Sequence, residues 1–161
     1  MEASFRFAAD RMLGRLAKWL RLVGVDTLYG SQWSGAALVR VARTEQRVVL
    51  TRDRRLRRVA EPPPMLFIDS DHFREQLRQV LSAYDIDPYA RLLTRCARCN
   101  APLQPLPKAA AASRVPAYVF ATQPDFVGCP RCHRIYWPAT HGERVRAELA
   151  RIGYARADAR S

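Results

Sequence analysis

Lysine is almost absent from this chain: of 27 basic side chains, all but Lys18 and Lys108 are arginine. Acids are scarce too, 15 against those 27, which leaves a formal net charge of +12. The excess is shared, +6 in residues 1–95 and +6 in residues 96–161. A surface rich in guanidinium and poor in carboxylate attracts polyanions, and phosphate neutralisation with counterion release gives sequence-independent affinity for nucleic acid. Arginine-rich codon usage would produce the same count without a ligand, so charge alone does not decide.

Also missing is any uncharged apolar run near the roughly 18 to 20 residues that a membrane span needs, so no membrane partner is expected. Residues 1–6 hold no basic stretch leading into an apolar one, so no secretory leader is expected and the expected location is cytoplasmic. With 48% hydrophobic residues the chain is too apolar for disorder, and 161 residues suffice for one ordinary domain plus a small metal-stabilised one. Four cysteines in a chain expected inside the cell are read as metal ligands or thiols rather than disulfides, because a reducing compartment keeps thiols reduced.

What is present begins with a strand-like run at 5–8, followed by Asp10 and a helical pattern through Leu13, Leu16, Ala17, Leu20 and Val23 that Gly24 ends. A weak strand at 27–29, a Gly/Ser turn at 30–35 and a helix at 36–44 follow. The clearest strand is 47–51, nearly continuous in apolar character, with Asp53 just beyond it. Another is predicted at 65–68, followed by Asp69, Asp71 and a helix with Phe73, Leu77, Val80 and Leu81 on its apolar face. Strands alternating with helices predict an α/β fold with a parallel sheet, whose ligands gather at the carboxyl ends of the strands. From Pro102 to Pro116 proline and alanine dominate, which predicts a poorly regular excursion.

Cys96-x2-Cys99 and Cys129-x2-Cys132 are two tight thiolate pairs separated by 29 residues. Two such knuckles complete the tetrahedron zinc prefers. A closed four-cysteine site has no open coordination position, so its role is expected to be structural, its binding energy serving to fold the segment around it. His133 and His141 are spare donors that such a site does not need.

Asp10 and Asp71 each suit a helix N-cap, which would explain them without chemistry. Three acids at strand ends of a +12 chain also suit a divalent cation held beside phosphate. Four segments carry a resemblance: 7–21 (Phe7-Ala8-Ala9-Asp10 through Trp19-Leu20-Arg21), Leu50-Thr51-Arg52-Asp53, Cys96-Ala97-Arg98-Cys99-Asn100, and 129–141 (Cys129-Pro130-Arg131-Cys132 through Thr140-His141). In order and without large gaps over about residues 5–150, they resemble the Mut-seven C-terminal RNase family, a PIN-like domain with a C-terminal zinc ribbon.

The resemblance implies a PIN-like α/β domain over 1–90, a zinc ribbon with an inserted loop over 91–150 and a flexible tail over 151–161. It implies metal-dependent ribonuclease activity at Asp10, Asp53 and Asp71, with Asp69 in reserve, using Mg2+ or Mn2+ at Asp10 and Asp53 and leaving a 5′-phosphate and a 3′-hydroxyl. Relatives usually carry an acid near the start of the second helix, where this chain reads Ser34-Gly35-Ala36-Ala37. Glu45 falls at the other end of that helix and is expected to point away. The RNA contacts expected are Arg11, Arg15, Lys18 and Arg21, with Arg52, Arg54 and Arg55 flanking Asp53, on phosphates, and Tyr136 and Trp137 stacking on bases. The competing class is a non-catalytic RNA-binding adaptor, working within a ribonucleoprotein, that keeps the fold after losing part of its acid cluster. A third, a toxin nuclease held by a protein inhibitor, predicts an inhibitor gene beside its own.

Overall fold

The computed structural model describes residues 4–154, so the tail expected over 151–161 lies outside the described residues from 155 onward. The chain forms two compact units, one of Met1–Arg21 with Val25–Asp87, the other of Leu22–Gly24 with Pro88–Ser161.

The first unit is a four-stranded parallel sheet flanked by helices. Its elements are β1 (Phe7–Ala9), a 3-10 turn (Arg11–Leu13), α1 (Gly14–Leu22), β2 (Thr27–Leu28), α2 (Gly35–Thr44), β3 (Val48–Thr51), a second 3-10 turn (Arg54–Arg58), β4 (Met65–Phe67) and α3 (Phe73–Ala83). The strand order is β2-β1-β3-β4, with Ala8 paired to Leu28 on one side and Val49 on the other. β1 is buried along its whole length, as a central strand covered on both faces must be. Side chains alternate across it. Ala8 joins Val49, Leu38, Val39 and Ala42 in the cluster beneath α2. Phe7, pointing the other way, meets Tyr84 at the end of α3, and Trp19 of α1 stacks on Phe73 of α3. One helix therefore covers one face and two cover the other.

In the second unit β5 (Gln104–Leu106), β6 (Phe126–Gly128) and β7 (Ile135–Tyr136) form an antiparallel sheet in that order. The stretch expected to be irregular is instead built of β5 and two short helices, α4 (Lys108–Ala111) and α5 (Ala117–Thr122). Pro107 and Pro116 sit at the two N-cap positions, so these prolines start helices where they were read as breaking structure. Ala111, Val119 and Phe126 give the excursion its own small core. A long helix, α6 (Pro138–Arg151), closes the described chain, with Gly142, Val145 and Leu149 buried. Gly24, with φ +85°, is required by close approach: a Cβ there would lie 2.2 Å from the carbonyl oxygen of Arg91. Among the described residues no helix is long and apolar enough to cross a membrane.

Candidate functional site

From β1 the chain runs outward to β2, then crosses back to place β3 on the other side of β1. Such a reversal opens a crevice at the carboxyl ends of the two central strands. Asp10 follows β1 directly and Thr51 ends β3. The backbone N–H of Asp10 donates to the Leu50 carbonyl at 2.9 Å, tying the two strand ends together.

Asp10 is only 1% exposed, and its side chain does not cap the turn it precedes. Its Oδ2 accepts from Thr51 Oγ1 at 2.7 Å, while Oδ1 is buried with no hydrogen-bond partner. A carboxylate oxygen removed from water and left without a protein partner is costly, and native structures complete such groups with an ion, a reacting group or an ordered water. Thr51 Oγ1 also accepts from the backbone N–H of Asp53 at 2.9 Å, so one buried hydroxyl positions both acids. Thr51 escaped the sequence reading as a site residue, although it lies within the Thr-Arg-Asp run that carried the resemblance.

Asp53 caps the 3-10 turn after β3, accepting from the Arg55 N–H at 3.1 Å. The Arg55 guanidinium grips both of its oxygens, and this hydrogen-bonded pairing holds the Asp53 carboxyl below the usual carboxylate range. Asp69 and Asp71 are exposed on the loop after β4. Asp69 pairs with Arg54 at 3.5 Å, and Asp71 lies 3.7 Å from His72 Nε2. Asp71 does not cap α3 either, because His72 takes that position and Ser70 Oγ accepts the His72 N–H at 3.0 Å. Gln79 and Gln76 hold this loop by its backbone. Among the described residues, no three carboxylates gather closely enough to share one ion.

The place of the missing acid is beside the crevice: the Arg11 N–H donates to the carbonyl of Trp33, and Ser34 is the N-cap of α2. Glu45 stands at the far end of α2, 3.4 Å from Arg47, and points away as expected. Arg11, Arg15, Lys18 and Arg52 are exposed. Arg15 lies over the Phe73 ring at 4.0 Å. Arg21 does not join them, because it is buried and donates through Nε to the Thr27 carbonyl at 2.9 Å.

The second unit brings its four cysteines together, all Sγ atoms within 4.8 Å of one another. Cys96 and Cys132 are 3.6 Å apart, and Cys99 and Cys129 are 3.3 Å apart. Zinc–sulfur bonds of about 2.3 Å at a tetrahedral angle place sulfurs roughly 3.8 Å apart, so the cluster fits a metal such as zinc. The knuckles share one backbone plan: Asn100 N–H returns to the Cys96 carbonyl and His133 N–H to that of Cys129, with both turn residues at positive φ.

Tyr136, expected to stack on bases, is 4% exposed. Its hydroxyl lies 3.3 Å from Cys96 Sγ and accepts the Ala97 N–H at 3.0 Å, so it supports the cluster from behind. Burial works against charge on Cys96, but the Tyr136 hydroxyl and the N–H groups of Cys99 and Arg98 outweigh it and lower the thiol pKa to about 6, which favours the ligating thiolate. Trp137 is half-buried, its ring 4.6 Å from that of His141. His141 Nδ1 accepts the Trp137 N–H at 3.2 Å, the cluster of ligand atoms among the described residues holds the four cysteines and no histidine, and His133 is exposed.

Comparison with curated proteins and with solved structures found no match. The model of one family, described as the Mut7-C RNAse domain, matches residues 5–149. A match over nearly the whole chain, on a parallel sheet with strand-end acids followed by a four-cysteine ribbon, places this protein in the Mut7-C RNAse domain family.

Proposed function

We propose that the protein is a metal-dependent endoribonuclease of the cytoplasm, with a PIN-like nuclease domain over 1–90 and a structural zinc ribbon over 91–150. The observation that carries this reading is the buried, partnerless Oδ1 of Asp10 at the crevice between β1 and β3. Asp10 and Asp53 would hold Mg2+ or Mn2+, a number of protein carboxylates that suffices where substrate phosphate completes the coordination. When bound, the ion supplies positive charge to the scissile phosphate and lowers the pKa of the attacking water.

The chain's own residues do the rest. Thr51 holds the Asp10 carboxylate by Oδ2, which leaves Oδ1 without a protein partner, and holds the backbone of Asp53. Asp71, with Asp69 in reserve, stands at the β4 end of the same sheet edge as the third acid. Exposed Arg11, Arg15, Lys18 and Arg52 position the RNA backbone without reading its sequence. On the ribbon, Trp137, half-buried against the Ala111, Val119 and Phe126 cluster and His141, is the aromatic side chain left to meet a base.

A non-catalytic RNA-binding protein is the second reading, and Ser34 at the place of the usual acid favours it. Asp10→Asn separates the two in a cleavage assay on a mixed RNA pool with Mn2+ or Mg2+. A nuclease loses at least about a hundredfold in rate. Its melting temperature holds or rises, because a buried charge has been removed. RNA binding without cleavage, equal in both proteins, would leave the adaptor.

A further inference from the structure

Arg55 occupies both oxygens of Asp53. Its Nε lies 2.9 Å from Oδ1 and its Nη2 3.0 Å from Oδ2, and its backbone N–H reaches Oδ1 at 3.1 Å. The turn dictates the backbone bond, since Asp53 is the N-cap and Arg55 the second residue after it. The Arg55 side chain is 88% exposed, so its guanidinium can leave Asp53 without disturbing packing. Its neighbours differ: Arg54 is drawn to Asp69 and Arg57 lies over the Phe67 ring.

A carboxylate engaged by a guanidinium has fewer lone pairs for a cation, and any ion arriving there meets a positive charge. Metal loading at Asp53 and pairing with Arg55 therefore compete. Resting on the reading of Asp10 and Asp53 as a Mg2+ or Mn2+ site, we propose that Arg55 is a latch that holds Asp53 closed to divalent cation until a phosphodiester arrives, then exchanges Asp53 for a phosphate oxygen. The exchange is like for like, because a guanidinium fork matches phosphate as well as carboxylate. Phosphate that draws Arg55 away opens Asp53 to the ion, and by linkage the ion strengthens RNA binding by the same factor. An arginine that closes the site without substrate becomes a substrate contact when it opens.

Mn2+ binding to the zinc-loaded full chain, followed by the loss of the free-ion paramagnetic resonance signal, tests the latch without an activity readout. Wild type, Arg55→Gln and Arg58→Gln are titrated alone and with single-stranded phosphorothioate RNA, whose own Mn2+ uptake is subtracted. Arg55→Gln is expected to bind Mn2+ alone about three- to fivefold more tightly than wild type, the scale of one exposed, well-oriented ion pair. RNA is expected to tighten Mn2+ binding in wild type and to add little in Arg55→Gln. Arg58→Gln removes the same charge from the same turn and is expected to follow wild type. Mn2+ bound by Arg55→Gln no more tightly than by Arg58→Gln would overturn the latch and leave the metal site standing. Absence of Mn2+ binding in all three would overturn the metal site, and the latch with it.

Discussion

The two sites of this chain are assembled by opposite means. In the ribbon, four thiols converge within 4.8 Å on knuckles that each span a few residues. The strands that join the knuckles are only two or three residues long, and the cluster around the thiols is small, although α6 adds buried Val145 and Leu149 to the unit. In the crevice, Asp10 and Thr51 are 41 residues apart in sequence and meet because β1 and β3 pair in register above a large core. The first site is expected to make its fold, whereas the second is made by its fold. Metal should therefore be a structural requirement of one and a passenger in the other.

The largest expected effect follows directly. Cys129→Ser, or zinc removal by a chelator, should take from the ribbon a contribution on the order of 10 kcal/mol. Amide resonances of residues 104–151 should collapse in dispersion, while those of 48–68 keep theirs. Stripping Mg2+ and Mn2+ should move neither set. Loss of dispersion in β1 and β3 together with the ribbon would break the contrast.

The contrast also explains what could be read from sequence. Two C-x2-C pairs carry their geometry in their spacing, and the β3 strand carries its burial in its composition. Asp10 was ambiguous because a helix N-cap and a metal ligand look alike in one dimension; only the missing cap bond and the lone oxygen separate them. Arg21 was placed on the basic face by its three-residue spacing from Lys18. Two such steps, at about 100° per residue, carry it roughly 120° round the helix from Arg15. It arrives beside Ala17, where its guanidinium finds the Thr27 carbonyl. Tyr136 was misread because adjacency to a knuckle says nothing of which way a side chain points. Helix α6 follows the last motif, and its signal is the helical spacing of Val145, Leu149 and Ile152, all of them buried.

A smaller effect sharpens the idea that the crevice is held by hydrogen bonds. Thr51→Val keeps the volume of a fully buried side chain but strands Asp10 Oδ2 and the Asp53 N–H together. The expected cost is about 1–3 kcal/mol, a melting temperature several degrees lower, with or without divalent ions. Cleavage should fall further than stability explains, and Thr51→Ser, which keeps the hydroxyl, should restore most of both. If Thr51→Val melts like wild type, the two acids are not held as the distances imply.

The smallest effect belongs to the ribbon and concerns protons. His141 is half-buried on α6, with its ring against Trp137 and Tyr136 and its Nδ1 taking the Trp137 N–H. Burial first, then the charges of Arg144 and Arg134, hold its pKa below the ordinary 6.5. The unfolded chain therefore takes up a proton near pH 6.5, while the folded chain resists until lower pH. Between those two values the unfolded state binds more protons, so stability rises with pH across the window. Stability present above pH 6.5 is accordingly lost as pH falls through the folded pKa. The cysteines add their own acid sensitivity, because thiolates must be protonated to release metal. His141→Gln separates the two contributions, since glutamine cannot titrate and its side-chain oxygen can still accept the Trp137 N–H. Thermal melts at pH 7.5 and pH 5.5 should show wild type losing a degree or two more than His141→Gln, with the variants parallel above pH 7. Equal losses would assign the acid sensitivity of this unit to its cysteines alone.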